Sequence, residues 1–180
     1  MISTSALRTH LITIMASSMV VACILWNLEA PTRLGFALLP QQYMAFQLGL
    51  ALTITYLKFG FQGEEKLNIG WFHGTIAAAI FAVLMYAAID FVWLLKEQAY
   101  RPWQITLIGA VVTLAVVEGI RRRTGWMLFG IVVVFMTYSL FADKVPGQLI
   151  GKALTIERLV QYIGFDPNAV FSTPLAVGTI

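Results

Sequence analysis

The chain has 180 residues, of which 59% are hydrophobic and 12% charged, and its mean hydropathy is +0.79. A soluble domain carries about 25% charged residues, so this composition excludes an ordinary soluble fold and indicates an integral membrane protein. The net charge of +3 fits basic loops beside a bilayer; no basic run is interleaved with aromatics, so no nucleic-acid partner is expected.

Five apolar windows follow in chain order: Leu7–Leu28, Tyr43–Phe61, Trp71–Leu95, Trp103–Ile120 and Trp126–Ala142. Each is close to the ~20 residues that cross a ~30 Å hydrocarbon core as a helix. Nothing alternates with period two, which argues against a membrane β-barrel and leaves helices as the way to satisfy the backbone in lipid. The second window is the most polar. It follows Gln41 and Gln42 and contains Gln47 and Lys58, so the number of spans is four or five. Trp26, Trp71, Trp93, Trp103 and Trp126 sit near window ends, where amphipathic rings prefer the headgroup layer. Pro31, Pro40, Pro102 and Pro146 fall in connections or at a first helical position, where no helix hydrogen bond is lost. The first window is too long for a removed signal peptide and lacks its cleavage pattern. The lone cysteine, Cys23, lies in that window and cannot form an internal disulfide.

The third window carries a ridge of mostly small residues at i+4 spacing, Gly70, Gly74, Ala78, Ala82, Tyr86 and Asp90. Small residues on such a ridge let another helix approach closely. Asp90 is the one acid inside a window, and an intramembrane acid is a functional candidate by default. The ridge points to a structural reading, with Asp90 bonded to a hydroxyl or paired with Lys96 or Arg101 in a helix interface. Ile80, off the ridge, is expected to face lipid.

Between the fourth and fifth windows stands Glu118-Gly-Ile-Arg-Arg-Arg-Thr-Gly-Trp126. With five crossings, one side receives Arg8, Lys58, Lys66, Arg121, Arg122 and Arg123, and the other Arg33, Lys96 and Arg101 before the tail. That asymmetry places the N-terminus in the cytoplasm. Glu118 precedes Arg121 and Arg122 by three and four residues, the ion-pair spacing on a helix. These four charged residues, Glu118, Arg121, Arg122 and Arg123, read as a topology anchor rather than a substrate site.

Residues 1–142 form the predicted transmembrane domain and 143–180 a periplasmic, interfacial tail. In the tail, Ile156, Leu159, Val160 and Ile163 follow the i, i+3, i+4, i+7 pattern, with Glu157, Arg158 and Gln161 on the other face and Thr155 as N-cap. This predicts a short amphipathic helix for the headgroup layer or a partner. Val170–Ile180 is apolar but too short to span. The expected fold is an all-α integral membrane protein of about five transmembrane helices plus this amphipathic segment.

The sequence Val117-Glu-Gly-Ile-Arg-Arg-Arg-Thr-Gly-Trp126 resembles the L-E-A-T-R-R…G-W signature of the fused permeases of TRAP transporters (tripartite ATP-independent periplasmic transporters), in the TAXI branch. Tyr138-Ser-Leu-Phe-Ala142 followed by Val145-Pro146-Gly147 is similar to that family's Y-A-L-F-G…L-P-G. Glu157-Arg-Leu-Val160 is similar to its E-R-L-V, and Thr173-Pro-Leu-Ala-Val-Gly178 to its I-P-L-G-V-S. The likeness runs in order from about Val116 to the end; upstream only the hydropathy pattern is similar. It departs at Phe165-Asp-Pro-Asn168, where the family has a small polar run, and at Ile180, where the fused permeases continue into the large transport domain.

The resemblance implies the smaller, static membrane domain of a sodium-coupled transporter for carboxylate-type solutes, in a bacterial inner membrane. Its partners would be a large permease subunit, a periplasmic solute-binding protein and the bilayer. The family's substrate and sodium sites have no matching positions here.

Two other readings remain open. One is a structural subunit bracing another membrane complex. The other is a haem or quinone anchor, for which His10 and His73 are the only histidines. No catalytic motif is present, so no enzyme activity, cofactor or metal is expected. Glu29 and Asn27, at the far end of the first window, read as helix-end polar groups.

Overall fold

The computed structural model describes residues 4–60, 63–65, 71–97, 100, 103–147 and 150–166. The expectations for Gly70, Lys66, Arg101 and Val170–Ile180 lie outside the described residues. Eight α-helices are described: α1 (Thr4–Asn27), α2 (Ala30–Arg33), α3 (Pro40–Lys58), α4 (Trp71–Ile89), α5 (Phe91–Glu97), α6 (Trp103–Thr124), α7 (Trp126–Phe141) and α8 (Ile156–Phe165). No described residue lies in a strand; a single isolated bridge joins Phe59 to Glu65. The chain is all-α, and four of its helices (α1, α4, α6, and α7 with its 3-10 extension to Lys144) are long and apolar enough to cross a membrane.

The second window also becomes a helix of spanning length, the 19-residue α3. Its glutamines, threonines and lysine make it less apolar than the other four, and it occupies the centre. It packs most extensively on α4 and also on α1 and α6. Residues buried along it include Tyr43, Gln47, Leu50, Thr53 and Tyr56. Lipid tails are as apolar as leucine, so helices in a membrane associate by close packing and polar contacts rather than by hydrophobic burial. Both are visible on α3. Gly49 brings it against α4, since a Cβ there would sit 3.2 Å from Leu84 Cβ; on its other side, a Cβ on Gly119 of α6 would meet Leu52 Cδ2 at 2.9 Å. Gln47 donates to Met19 O of α1 (3.1 Å) and to the Tyr43 hydroxyl (2.8 Å). The Tyr56 hydroxyl donates to Ala115 O of α6 (3.1 Å).

Gln42 explains the polar start of this helix. Its Oε1 accepts from Leu39 N at 3.0 Å, capping α3. Its Nε2 donates across to Ala88 O at 2.9 Å, near the end of α4. Trp26 of α1 stacks on Tyr43 with ring centroids 4.6 Å apart. These contacts set an alternating arrangement in which α1, α4 and α7 run one way and α3 and α6 the other.

The third window divides at Asp90. The backbone continues through it, with Asp90 N donating to Tyr86 O and Leu94 N to Asp90 O, both 3.0 Å. Phe91 and Leu94 of α5 are fully buried beside Ile105 of α6. Asp90 therefore stands about 28 Å along the helix from Trp71, close to the whole ~30 Å thickness of the hydrocarbon rather than deep within it.

α1 and α7 are peripheral. None of the apolar stretch of α1 is buried inside the chain, and α7 contributes no buried residue. The tail turns back along the bundle. Gly151 N donates to Ala142 O (2.9 Å) and Leu154 N to Ser139 O (3.0 Å). α8 then packs on α6.

Candidate functional site

The charged cluster at one end of the bundle brings together all four anchor residues read from the sequence. They occupy the last turns of α6, where cations complement the helix dipole. Arg121 grips Glu118 with two hydrogen bonds, Nε to Oε2 at 2.7 Å and Nη2 to Oε1 at 2.6 Å. Arg122 Nε donates to the same Oε1 at 2.8 Å. Arg122 is 3% exposed. Its guanidinium lies 4.2 Å from the centroid of the Tyr56 ring, and its Nη1 donates to Phe59 O at 3.3 Å. Arg123 is exposed, with its guanidinium 5.1 Å from the Phe59 ring centroid. Arg121 lies 5.0 Å from the centroid of Trp126.

The carbonyls that end α3 are the second half of this cluster. A helix terminus leaves carbonyls without intrahelical partners. Arg8 of α1 reaches two of them, donating from Nε to Leu57 O (3.1 Å) and from Nη2 to Lys58 O (3.4 Å). Arg122 takes the third, Phe59 O. The end of the central helix is thus held by one arginine from α1 and one from α6. The chain after Phe59 folds back over it. Gly60 N donates to Glu64 O (2.9 Å), and Gly63, at φ +79, sits so close that a Cβ would be 3.1 Å from Arg122 O. The Lys58–Glu65 pair at 3.0 Å is exposed and adds little.

Gly125 alone separates α6 from α7. It adopts φ +91, a left-handed value that favours glycine, and allows the immediate reversal into Trp126.

The α4 ridge lies elsewhere. Gly74 is half-buried, while Ala78, Ala82, Tyr86 and Asp90 are exposed. The packed face of α4 is instead Ala77, Ile80, Leu84, Ala87 and Ala88. Ile80, expected against lipid, is 6% exposed and belongs to the core. The reason is the partner: α3 offers Gly49 opposite Leu84, so close approach is achieved with the glycine on α3 rather than on α4. Among the described residues Asp90 forms no ion pair, and the hydroxyl of the ridge residue Tyr86 makes no bond to it.

α8 forms with Thr155 as its cap, accepting from Arg158 N at 3.4 Å. Its buried face is rotated from the expected one. Leu159 is buried and Val160 and Ile163 partly so, but Ile156 is 69% exposed. Gln161, expected on the polar face, is buried and donates to Thr106 Oγ1 of α6 at 2.6 Å. Two glycines set this register. Gly164 rests on the backbone of Gly109, and a Cβ on Gly109 would lie 2.8 Å from Val160 O. Two glycines 55 positions apart gave no sequence signal of their meeting.

His10 is exposed on α1 and His73 half-buried on α4, and both helices pack chiefly on α3. Asn27 donates to Cys23 O at 2.9 Å, and Glu29 takes a left-handed conformation (φ +52) between α1 and α2, so both serve helix ends as expected. No group of three or more metal-ligating side chains occurs among the described residues.

Compared with protein-family models, curated proteins and solved structures, the chain matches none.

Proposed function

We propose that the chain is the small, static membrane scaffold of a TRAP-type sodium-coupled secondary transporter for carboxylate-type solutes. It would sit in a bacterial inner membrane with its N-terminus cytoplasmic. A large permease domain would move against it, and a periplasmic solute-binding protein would deliver the solute. The resemblance from Val116 onward is the ground for the family. The observation that carries the scaffold role is how the motif's own residues are used. Glu118, Arg121 and Arg122 are committed to one another and to α3, Gly119 to helix contact and Gly125 to the turn. These are the jobs of a rigid frame.

The outward ridge Gly74, Ala78, Ala82 on α4 gives the permease a close-packing face. The peripheral α1 and α7 extend the surface available to it.

Isolation of the protein from native membranes in mild detergent tests this reading. A large polytopic subunit should co-purify, and sodium-driven carboxylate uptake by the reconstituted assembly should depend on this chain. A Soret band, or co-purification only with subunits of a non-transport complex, would refute it in favour of an anchor or bracing subunit.

A further inference from the structure

A cleft of about 470 Å³ opens between α6, α7 and α8. Its walls are apolar, with Leu114 and Val117 on α6 facing Phe129, Val133 and Met136 on α7. Leu159 of α8 lines it as well, and Glu118 lies at its opposite end. Along α7 it runs from Phe129 to Leu140, about 16 Å. Half of a ~30 Å hydrocarbon core is about 15 Å. The cleft is as long as one leaflet is deep.

Its mouth is cationic. One turn beyond Glu118 stands Arg121, whose hydrogen bonds to Glu118 use Nε and Nη2 and leave the Nη1 hydrogens without a partner among the described residues. Facing it is the start of α7. There Gly125 offers no side-chain cap, and a helix start leaves its first N–H groups without intrahelical partners, available to an anion. Trp126 stacks beside Arg121 and edge-on to Phe129, at 5.0 and 5.5 Å between centres. The last turn of α6 carries three arginines against the single carboxylate of Glu118, so its net positive charge draws anions to the mouth.

We propose that this cleft holds an acyl chain of an anionic phospholipid, with the lipid phosphate on Arg121 Nη1 and the N-terminus of α7. The occupant follows from charge and length together. A cationic headgroup is repelled by the mouth, and a partner helix, about 10 Å across, is wider than a cleft whose volume of about 470 Å³ is spread along about 16 Å. The inference rests on the chain being embedded in a membrane and is independent of any transport role.

Native mass spectrometry of the full chain in detergent, titrated with phosphatidylglycerol or phosphatidylcholine of identical acyl chains, tests it. Phosphatidylglycerol should bind at least about fivefold more tightly, the ratio expected for one cation acting on an anionic lipid. Val133→Trp fills the slot and should abolish the tight site. Val134→Trp, on a neighbouring exposed position outside the lining, should leave it intact. Arg121→Gln should remove the headgroup preference, so that phosphatidylglycerol and phosphatidylcholine bind equally. Equal binding of the two lipids by the unaltered protein, or equal effects of the two tryptophan variants, would overturn the proposal. So would loss of a partner protein, with lipid binding retained, in Val133→Trp.

Discussion

Gly164→Ala is the smallest change that tests how α8 is held. A Cβ at this position would overlap the backbone of Gly109. That backbone lies inside the continuous helix α6 and cannot turn away as a side chain would. Overpacking of this kind costs about 1–3 kcal/mol. Opposing it are few contacts, because α8 has only 10 residues. Leu159 is buried, and one hydrogen bond joins Gln161 to Thr106; such bonds average about 0.6 kcal/mol between membrane helices. A penalty of about 2 kcal/mol changes the ratio of docked to undocked α8 by roughly 30-fold. The assay is maleimide labelling of Leu159→Cys in a Cys23→Ser background. Leu159 is 5% exposed when docked, so labelling reports the undocked fraction, and Gly164→Ala should accelerate it by about that factor. Gly130→Ala on α7, where a Cβ meets nothing within 4 Å, should not. Equal labelling rates in the two variants would show that the glycine contact does not hold α8.

Three further outcomes follow from the geometry. Glu118→Leu leaves the 3%-exposed Arg122 without its carboxylate and should destabilise the protein by about 3 kcal/mol, read by thermal unfolding in detergent; Arg123→Gln, at an exposed position, should stay within about 0.5 kcal/mol. Ala78→Leu on the outward ridge should leave the isolated chain as stable as before yet reduce recovery of the proposed permease partner, whereas Ile80→Ala in the core should lower stability by about 2–5 kcal/mol. Glu29→Gly relieves a left-handed backbone and should raise the unfolding temperature, the relief being about 1 kcal/mol before the greater freedom of the unfolded glycine is subtracted.

Much of the fold is legible in the chain because hydrocarbon permits few alternatives. The windows Trp103–Ile120 and Trp126–Ala142 become α6 and α7 with ends displaced by four residues or fewer. Tryptophans mark the ends, and Trp71, Trp103 and Trp126 are all largely exposed there. The pairing of Glu118 with Arg121 and Arg122 is legible for a different reason: it is local, and helix spacing alone brings the groups together. What Arg122 does beyond that pairing is not local. Its contacts with Tyr56 and Phe59 span more than 60 positions in the chain. Arg8 likewise reads only as a positive loop charge until α1 is laid against the end of α3.

The ridge on α4 shows why a periodic pattern does not name its own partner. Gly74, Ala78 and Ala82 are spaced for a close helix contact, yet the alternative face of the same helix, Ala77, Leu84 and Ala88, also carries small residues and wins because α3 supplies Gly49 opposite it. Hydropathy alone is similarly silent about order. In water the least apolar helix of a bundle would be placed outside. In lipid the preference reverses, since a glutamine or threonine facing acyl chains has no partner. Gln42, Gln47, Thr53 and Tyr56 make α3 the least convincing span as an isolated segment. Each donates to a carbonyl, and Gln42, Gln47 and Tyr56 reach other helices to do so. The polarity that weakens α3 as a solitary crossing is therefore what makes it the helix on which the others assemble.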